Sequence, residues 1–327
     1  MSVTLSEEEN IYRLFASGQP DNIQIGLQVA QALTITIQPY LDEIEKIYRL
    51  VYPRKKARPL AQLLFVQGAT QLKLSDKSLS GIPDGIRHMK LLTELSLDTN
   101  NLTSIPETIG QLYQLRVVNL QKNQLKSLPD RFGDLNNLIE LDLIHNQFEE
   151  WPEPINYLSA LQELYFSDNL LTAIPTDIAK LAQLKKLFLV KNQLRELPEQ
   201  LGSLIELGML ALADNQLISL PESIGNLTKL TYLNLSYNLL SELPKSFNLL
   251  KQLETLYLKQ NYLTSWPKHA ELTNLKRLDL SGNKLTKLPE SITQLTNLKE
   301  LILTDNPLNA KAKSSIKNWL PNCRITF

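Results

Sequence analysis

Cysteine and histidine are scarce in this sequence, and their scarcity excludes several kinds of site. Cys323 is the single cysteine among 327 residues, so the chain cannot form an intramolecular disulfide. The three histidines, His88, His145 and His269, are far apart in the sequence, and no two of them have metal-ligand spacing. A usual structural zinc site is therefore not expected, and the lone cysteine is typical of a reducing compartment.

Long apolar runs and an excess of charge of one sign are also absent. No segment approaches the ~18 consecutive apolar residues that a membrane span needs. Lys plus Arg and Asp plus Glu both number 34, which gives no attraction toward nucleic acid or an anionic membrane. The first residues, MSVTLSEEEN, lack the basic and apolar regions of a signal peptide. We therefore expect a cytoplasmic protein that binds neither nucleic acid nor a membrane.

Catalytic motifs are missing as well. The sequence contains no G-x-x-x-x-G-K-[ST], no G-x-S-x-G and no H-E-x-x-H, which are signatures of phosphate binding, acyl transfer and zinc hydrolysis. Carboxylates such as Glu140, Asp142 and Glu163 are predicted on an open sheet, where no water-poor pocket raises the pKa of a general acid. We expect no enzymatic activity and no cofactor.

The sequence is rich in one feature, a repeat of 23 residues. The repeat follows the pattern L-x-x-L-x-L-x-x-N-x-L-x-x-L-P-x-x-I-x-x-L, as in LTYLNLSYNLLSELP at 230–244. Its asparagine recurs in steps of 23, with one step of 22 before Asn283, at Asn100, Asn123, Asn146, Asn169, Asn192, Asn215, Asn238, Asn261, Asn283 and Asn306. A proline recurs in the same rhythm from Pro83 to Pro289. This regularity predicts a stack of structural repeats along most of the chain.

Residues 72 to about 309 resemble leucine-rich repeats of the 23-residue kind. The L-P-x-x-I-x-x-L half is similar to the intracellular Ras-group repeats of animals and plants and to arrays in bacteria. Ten repeats begin at Leu72, Leu95, Val118, Leu141, Leu164, Leu187, Leu210, Leu233, Leu256 and Leu278, with a partial eleventh at Leu301. The resemblance implies an α/β fold, a leucine-rich repeat solenoid with a concave parallel β-sheet. It also suggests small GTPases or their regulators as a partner class.

The physical chemistry of the repeat supports the same fold. The L-x-L segment alternates with a period of two, which predicts a short strand. Strands 23 residues apart stack in parallel, and the bulkier return segments curve the stack so that the sheet is concave. The asparagine side chain is expected to bond backbone groups where each strand ends, and the proline to fix φ where the chain leaves the sheet.

A few positions depart from the pattern. Lys77 stands at the asparagine position of the first repeat, and Trp151 and Trp266 replace the leucine before proline. The ninth repeat, SWPKHAELTNL, is one residue short, and Ala270 stands where Ile or Phe usually packs. We therefore expect a local irregularity at 267–275.

The two ends of the repeat array are expected to carry caps, because a solenoid otherwise leaves its core open. We assign residues 1–70 to a helical N-terminal cap region, 71–305 to ten full repeats and 306–327 to a C-terminal cap. In the last segment a helix of about ten residues, stopped by Pro321, precedes an edge strand. Cys323 is expected to be buried near that strand as a small hydrophobe.

The N-terminal region predicts three helices. A capping box from Ser6 to Glu9 opens the first, at about 6–17, Asp21 caps the second, DNIQIGLQVAQALTITIQ, and Pro39 starts the third. These helices either only cover the first repeat or also offer a second binding or dimerisation surface. The basic run PRKKARP at 53–59 is interpreted as a solvated linker, with a nucleic-acid or localisation signal as the alternative.

The variable positions around the core leucines are the candidate binding residues, because they point out of the core on the sheet face. In the middle of the array these positions carry large apolar side chains with charged residues around them. The candidate site consists of Ile144, Tyr165, Phe188, Val190, Met209, Tyr232 and Tyr257, with Asp142, Glu163 and Lys186 on its rim. Along one edge, His145, Asp168, Lys191 and Asp214 are expected to form a row of ion pairs.

Three interpretations of this apolar surface are open. The aromatic side chains either support one another within the sheet, bind a protein partner, or join two copies of the chain. We favour a non-catalytic module that binds a protein or peptide on its concave face. The alternative is a structural, self-associating scaffold without a dedicated ligand, for which a homodimer is the expected form.

Overall fold

The computed structural model of the protein describes residues 7–17, 19–33, 35, 37–54, 59–267 and 272–327. These residues form five α-helices, twelve β-strands and nine 3₁₀ helices. The chain divides into two compact units, one of Met1–Leu141 with Glu153–Leu158 and one of Asp142–Pro152 with Ser159–Phe327. Both units contain the same kind of repeat, a three-residue strand followed by a return segment. The predicted α/β repeat fold is therefore confirmed.

The first unit begins with four α-helices, one more than the sequence predicts. They are α1 Glu7–Ala16, α2 Pro20–Ala32, α3 Gln38–Val51 and α4 Pro59–Gly68. The predicted Asp21 cap is wrong, because the helix starts one residue earlier and Gln19 is its N-cap without a side-chain hydrogen bond. The capping box begins at Ser6, and the basic run includes residues 55–58, which lie outside the described residues.

Helix α3 packs against the first repeat, as expected of a cap. The first 3₁₀ helix, Asp84–His88, lies directly beside it. A Cβ on Gly85 would lie 2.6 Å from the backbone oxygen of Glu43, so only glycine permits this close approach. The Glu43 side chain bonds Arg87 at 2.7 Å, which fixes the helix to the repeat. Beneath these contacts, Phe15, Ile44 and other apolar side chains form a dry core.

The strands are all parallel and follow one another in the order of the chain within each unit. They are β1 Gln71–Lys73, β2 Glu94–Ser96, β3 Val117–Asn119, β4 Glu140–Asp142, β5 Glu163–Tyr165, β6 Lys186–Phe188, β7 Met209–Ala211, β8 Tyr232–Asn234, β9 Thr255–Tyr257, β10 Arg277–Asp279, β11 Glu300–Ile302 and β12 Arg324–Thr326. In the first unit β1 to β3 pair in sequence, and in the second unit β5 to β12 do so. The central residue of each strand from β1 to β11 is buried, so the leucines of the repeat stack into one apolar row in each unit.

The repeated asparagine bonds backbone groups inside the core, as predicted. Asn215 accepts a hydrogen bond from the backbone nitrogen of Leu194 at 3.0 Å and donates to the carbonyl oxygens of Leu189 and Leu212 at 2.9 and 3.0 Å. Equivalent bonds are made by Asn169, Asn192, Asn238, Asn261, Asn283 and Asn306. Each side chain thereby ties its own repeat to the preceding one and satisfies groups that no water reaches.

The residue before each of these asparagines has a left-handed backbone, which the sequence pattern does not reveal. Its φ lies between 53° and 57° in Asp76, Thr99, Lys122, His145, Asp168, Lys191, Asp214, Tyr237, Gln260 and Asp305, and is 64° in Gly282. Such a conformation is unfavourable for most side chains. The asparagine bonds on either side of it therefore hold the turn against a local backbone cost.

The proline of each repeat ends the extended segment and precedes a five-residue 3₁₀ helix. Pro221, for example, has φ −67° and ψ 151° and is the N-cap of Glu222–Asn226. The Glu222 carboxylate then accepts hydrogen bonds from the backbone nitrogens of Lys245 and Ser246 in the next repeat, at 3.2 and 3.0 Å. These bonds, with that of Ser246 strongest, lower the pKa of Glu222. The return segments are thus capped by their neighbours.

The short ninth repeat leaves the sheet register intact. Strands β9 and β10 pair with an offset of 22 residues, Leu256 opposite Leu278. Asn283 still accepts from the backbone nitrogen of Leu263 at 3.0 Å. The predicted irregularity at 267–275 lies partly outside the described residues, because it includes 268–271 and with them Ala270.

The C-terminal segment has the predicted helix and strand. Helix α5, Ala310–Trp319, is capped by the Asn309 side chain, which accepts from the backbone nitrogen of Ala312 at 2.8 Å. The prediction of a buried Cys323 is wrong, because this residue is only half-buried. Strand β12 pairs with β11 alone in the described structure, so its neighbourhood is covered on one side. Partial burial, with a smaller effect of Glu300, raises the pKa of the Cys323 thiol to about 11.

Candidate protein interaction surface

The strands of the second unit present a surface that we call the sheet face. It consists of the strand side chains, and those directly after each strand, that point away from the leucine core. Phe188 and Val190 on this surface are partly exposed, whereas Leu187 and Leu189 between them are fully buried. The alternation predicted from the L-x-L pattern is therefore confirmed around β6.

Four of the candidate residues form two aromatic pairs on the sheet face. The rings of Tyr165 and Phe188 lie 5.2 Å apart on the adjacent strands β5 and β6. The rings of Tyr232 and Tyr257 lie 5.9 Å apart in an edge-to-face arrangement. These distances are typical of favourable aromatic contacts. Each pair leaves part of its ring surface exposed to solvent.

The strand between the two pairs carries small residues. Ala211 lies opposite Phe188 in the register and is 2% exposed, and Ala213 is 5% exposed. Larger side chains around the two alanines therefore cover their methyl groups. Met209 on the same strand is partly exposed and lies opposite Tyr232. The structure thus places Met209 between the two aromatic pairs, as the sequence predicts.

The charged residues at the rim are bound to one another. Glu163 accepts a hydrogen bond from the Tyr165 hydroxyl at 2.6 Å and forms an ion pair with Lys186 at 2.9 Å. Burial raises the pKa of Glu163, but the bonds from Tyr165 and Lys186 outweigh it, and the pKa lies below its usual value. The Asp142 carboxylate accepts from the backbone nitrogen of Ile144 at 2.9 Å. Glu163 thus also orients the Tyr165 ring.

The predicted row of ion pairs is present in part. Asp168 lies 3.7 Å from His145 and 3.5 Å from Lys191, and all three occupy the left-handed position of their repeats. The side chains of His145 and Lys191 are largely exposed, so each contact contributes little to stability. Asp214 continues the row by position, and no ion pair of its side chain is found in the described structure.

Sequence reasoning missed several neighbours of the candidate residues. The guanidinium of Arg277 lies 5.3 Å from the centre of the Tyr257 ring. The ammonium of Lys259 lies 5.4 Å from the Tyr237 ring, and a hydrogen bond from that tyrosine raises the pKa of Lys259. Tyr237 itself is largely exposed beside the strand end. The cations point to aromatic partners on adjacent repeats, a signal that the 23-residue alignment contains.

The burial of Tyr232 differs from that of the other candidate rings. Partial burial, with a smaller effect of Tyr257, raises the pKa of the Tyr232 hydroxyl against a hydrogen bond with Asn234. The hydroxyl therefore stays protonated at neutral pH and is able to donate. A surface of this composition, with exposed rings, a thioether and paired charges, is suited to contact a partner and presents no array of proton-transfer groups.

Two further features of the described residues bear on function. They contain no group of three or more His, Cys, Asp or Glu side chains placed to hold a metal ion. None of the helices resolved in the described ranges has the length and apolar character that crossing a membrane requires.

Family models of leucine-rich repeats match the sequence over its central part. A model of a leucine-rich repeat region matches residues 107–213, a leucine rich repeat model matches 205–263 and 252–308, and a third matches 91–112. Together with the repeat geometry, these matches show that the chain belongs to the leucine-rich repeat proteins.

Solved structures of similar proteins include bacterial and plant members of the same class. A leucine-rich repeat protein of Leptospira interrogans is 32% identical, over 83% of this chain and 86% of that chain, with a TM-score of 0.48. A TDR receptor is 32% identical over 79% of this chain and 47% of its own, with a TM-score of 0.70. The ectodomain of the Arabidopsis receptor kinase HAESA, solved with an N-terminally extended IDA peptide hormone, is 32% identical over 72% of this chain and 42% of its own, with a TM-score of 0.62.

The chain spans less than half the length of these two plant ectodomains. A comparison of the sequence with curated proteins finds no match. The leucine-rich repeat is a common module for protein–protein interaction, and the class as a whole is generally non-enzymatic.

Proposed function

We propose that the protein is a non-catalytic interaction module that binds a protein or peptide partner through the sheet face of its second unit. The observation that carries this proposal is the pair of exposed aromatic clusters, Tyr165 with Phe188 and Tyr232 with Tyr257. Met209 and Val190 extend the clusters into a larger apolar surface. The sequence predicts that this surface is concave, which would enclose a partner from two sides.

The energetics favour binding over a purely structural role. Aromatic neighbours on adjacent strands stabilise a sheet by a few tenths to about 1 kcal/mol per pair. That gain explains the two ring pairs, but it gives no reason for exposing Met209 and Val190 next to them. Large apolar side chains surrounded by polar residues mark partner sites, where truncating one aromatic ring costs about 2 kcal/mol of binding free energy or more.

Relatives of known structure support a peptide or protein as the partner. The HAESA ectodomain is 32% identical to this chain and was solved with a peptide hormone bound. A similar mode here would place an extended segment across several strands, with its apolar side chains against the two aromatic pairs. The resemblance to Ras-group repeats adds small GTPases or their regulators as a partner class, and we place the protein in the cytoplasm.

A second candidate function is self-association through the same surface. It is favoured by the pairing of the rim charges, since Glu163 is bound by Lys186 and repels a second copy less than a free carboxylate would. Sedimentation at increasing protein concentration separates the two functions. A concentration-dependent dimer that Phe188→Asp disrupts would support self-association, whereas a monomer at every concentration would favour a different partner.

The decisive experiment compares a double variant, Tyr165→Ala with Phe188→Ala, with the matched control Ile302→Ala. Ile302 occupies the same position between two core leucines on β11, but it lies outside the aromatic clusters. Proteins captured from a native lysate are identified with the unmodified chain, and their affinities are then measured with purified components. We expect at least about tenfold weaker binding by the double variant and unchanged binding by the control. Equal binding by all three proteins would refute the proposal.

A further inference from the structure

A cavity of about 410 Å³ lies in the first unit, where the N-terminal helices meet the first repeat. Helix α1 contributes Tyr12 to its wall, α3 contributes Tyr40 and Glu43, and α4 contributes Gln67. The segment around the first 3₁₀ helix adds Arg87, His88 and Lys90. We call this space the cap cavity. Its volume is at the lower end of the range of small-molecule sites.

The cap cavity carries an excess of positive charge. The Glu43 carboxylate is shared between Arg87, at 2.7 Å, and His88, at 2.8 Å. Burial lowers the pKa of His88 in spite of its hydrogen bond with Glu43, so the imidazole is neutral at pH 7. Lys90 donates only to the backbone and side-chain oxygens of Gln111, both at 3.3 Å. The charges of Glu43 and Arg87 cancel, and that of Lys90 is left over.

The burial of Lys90 has a cost that nothing in the described structure offsets. Burial, reinforced by the neighbouring charge of Arg87, lowers the pKa of the Lys90 ammonium. No carboxylate forms an ion pair with Lys90 among the described residues. A partly buried cation held close to a second cation is the arrangement that an anion stabilises.

Gln67 provides a second, independent observation. This side chain is 2% exposed, and its amide nitrogen donates to the Tyr40 hydroxyl oxygen at 2.7 Å. Its carbonyl oxygen has no hydrogen-bond partner, a state that costs free energy in a protein interior. Because the Tyr40 oxygen accepts from Gln67, the hydroxyl proton of Tyr40 remains to be donated to another group. Burial raises the pKa of Tyr40, which keeps that proton in place.

We propose that the cap cavity binds a small organic oxyanion, a carboxylate or phosphate that also bears a hydroxyl or amino group. The oxyanion would accept hydrogen bonds from Lys90 and Tyr40, with Arg87 nearby. The hydroxyl or amino group would donate to the carbonyl oxygen of Gln67. The Tyr12 ring, 5.0 Å from that of Tyr40, forms an apolar wall beside the ligand.

A purely structural explanation accounts for only part of this arrangement. The bridge from Glu43 to Arg87 and His88 fixes helix α3 to the first repeat and would serve that purpose alone. It does not require a lysine buried next to Arg87, nor a glutamine with an unbonded carbonyl oxygen in the same wall. A ligand with an anionic end and a donor explains both features.

The test uses isothermal titration of the full chain with three probes. Inorganic phosphate offers only the oxyanion, whereas glycerol 3-phosphate and lactate add a hydroxyl to a phosphate and to a carboxylate. We expect glycerol 3-phosphate or lactate to bind more tightly than inorganic phosphate. Lys90→Gln and Tyr40→Phe should each weaken that binding about tenfold. The control Lys126→Gln removes the same charge from an exposed position of the same unit and should leave binding unchanged.

A spectroscopic readout separates site binding from general charge attraction. In a two-dimensional ¹H–¹⁵N NMR spectrum, the side-chain amide of Gln67 should shift on adding the probe, and this shift should be lost in Lys90→Gln. Thermal unfolding of each variant verifies that the cap is folded. Lack of binding by all three probes up to about 10 mM would overturn the proposal. Equal weakening by Lys126→Gln, or shifts spread over the surface without Gln67, would overturn it as well.

Discussion

The ring of Phe188 lies 5.2 Å from that of Tyr165, tilted by 35°, and the Tyr165 hydroxyl is bound to Glu163. The pair contributes little to folding, because both rings remain partly exposed. We expect Phe188→Ala to lower the free energy of unfolding by about 1 kcal/mol or less. Chemical denaturation measures this change, with Ile302→Ala as the reference for an isolated apolar side chain on the same face. A loss of several kcal/mol would show that the ring is a structural element.

The asparagine row makes a contrasting prediction for stability. Asn215→Ala removes four hydrogen bonds to backbone groups and leaves the nitrogen of Leu194 buried without a partner. We expect a loss of about 3 kcal/mol in the free energy of unfolding. The control is Gln216→Ala, because Gln216 is the exposed next residue and its side chain makes no hydrogen bond in the described structure. Similar urea midpoints for the two variants would contradict the structural role of Asn215.

The pH dependence of stability should report the Glu163 contacts. Burial acts to raise the pKa of Glu163, yet the Tyr165 and Lys186 bonds bring it below its usual value of 4.5 in the folded chain. A lowered folded-state pKa stabilises the protein above the unfolded value, and this contribution is lost as pH falls through the folded value.

Glu163→Gln is the variant that tests this. At pH 7 we expect it to unfold more easily than the natural chain, by less than about 1 kcal/mol, since the ion pair is partly exposed. At pH 3 the difference should shrink, because Glu163 approaches protonation in both folded and unfolded states. Thermal unfolding at the two pH values measures the effect. A difference that grows on acidification would show that the contacts do not favour the carboxylate.

Two glycines of the second unit should respond in opposite ways to alanine. A Cβ on Gly225 would lie 2.5 Å from the backbone oxygen of Ser246 in the next return segment. Gly208 has its nearest obstacles at 3.8 and 4.0 Å. We expect Gly225→Ala to destabilise the chain by about 1 to 3 kcal/mol, and Gly208→Ala to be neutral or stabilising by up to about 1 kcal/mol. Equal effects in thermal unfolding would contradict this packing of the return segments.

The repeat spacing was sufficient to predict most of the fold. The L-x-L segments, the asparagine bonds and the C-terminal helix follow from patterns that recur ten times or from a clear apolar face. The left-handed residue was not predictable, because its position holds Thr99, Lys191 and Tyr237 as readily as Asp or Gly282. There the surrounding hydrogen bonds, and not the residue itself, determine φ. Helix α4 was missed because its sequence, PLAQLLFVQG, is short and apolar on almost every side.

The candidate surface was predictable in its membership but not in its geometry. Alternation with the core leucines assigns Phe188 and Tyr257 to the exposed side. It does not show that Arg277 covers Tyr257, or that Lys186 and Tyr165 converge on the Glu163 carboxylate. These contacts depend on side-chain rotamers across neighbouring strands, which no one-dimensional pattern contains. The cap cavity was not predicted either, because its walls come from four separate segments of the first unit.

The way each asparagine joins its own repeat to the one before it limits how such a chain can change length. Since the joint around Asn215 has the same form as that around Asn238, a whole module can be inserted or deleted between them and both junctions rebuild themselves. Gain or loss of part of a module would shift the joint out of phase, unless the change falls in the return segment. The 22-residue module before Asn283 is an instance of that tolerance, and it marks where loop grafting should succeed.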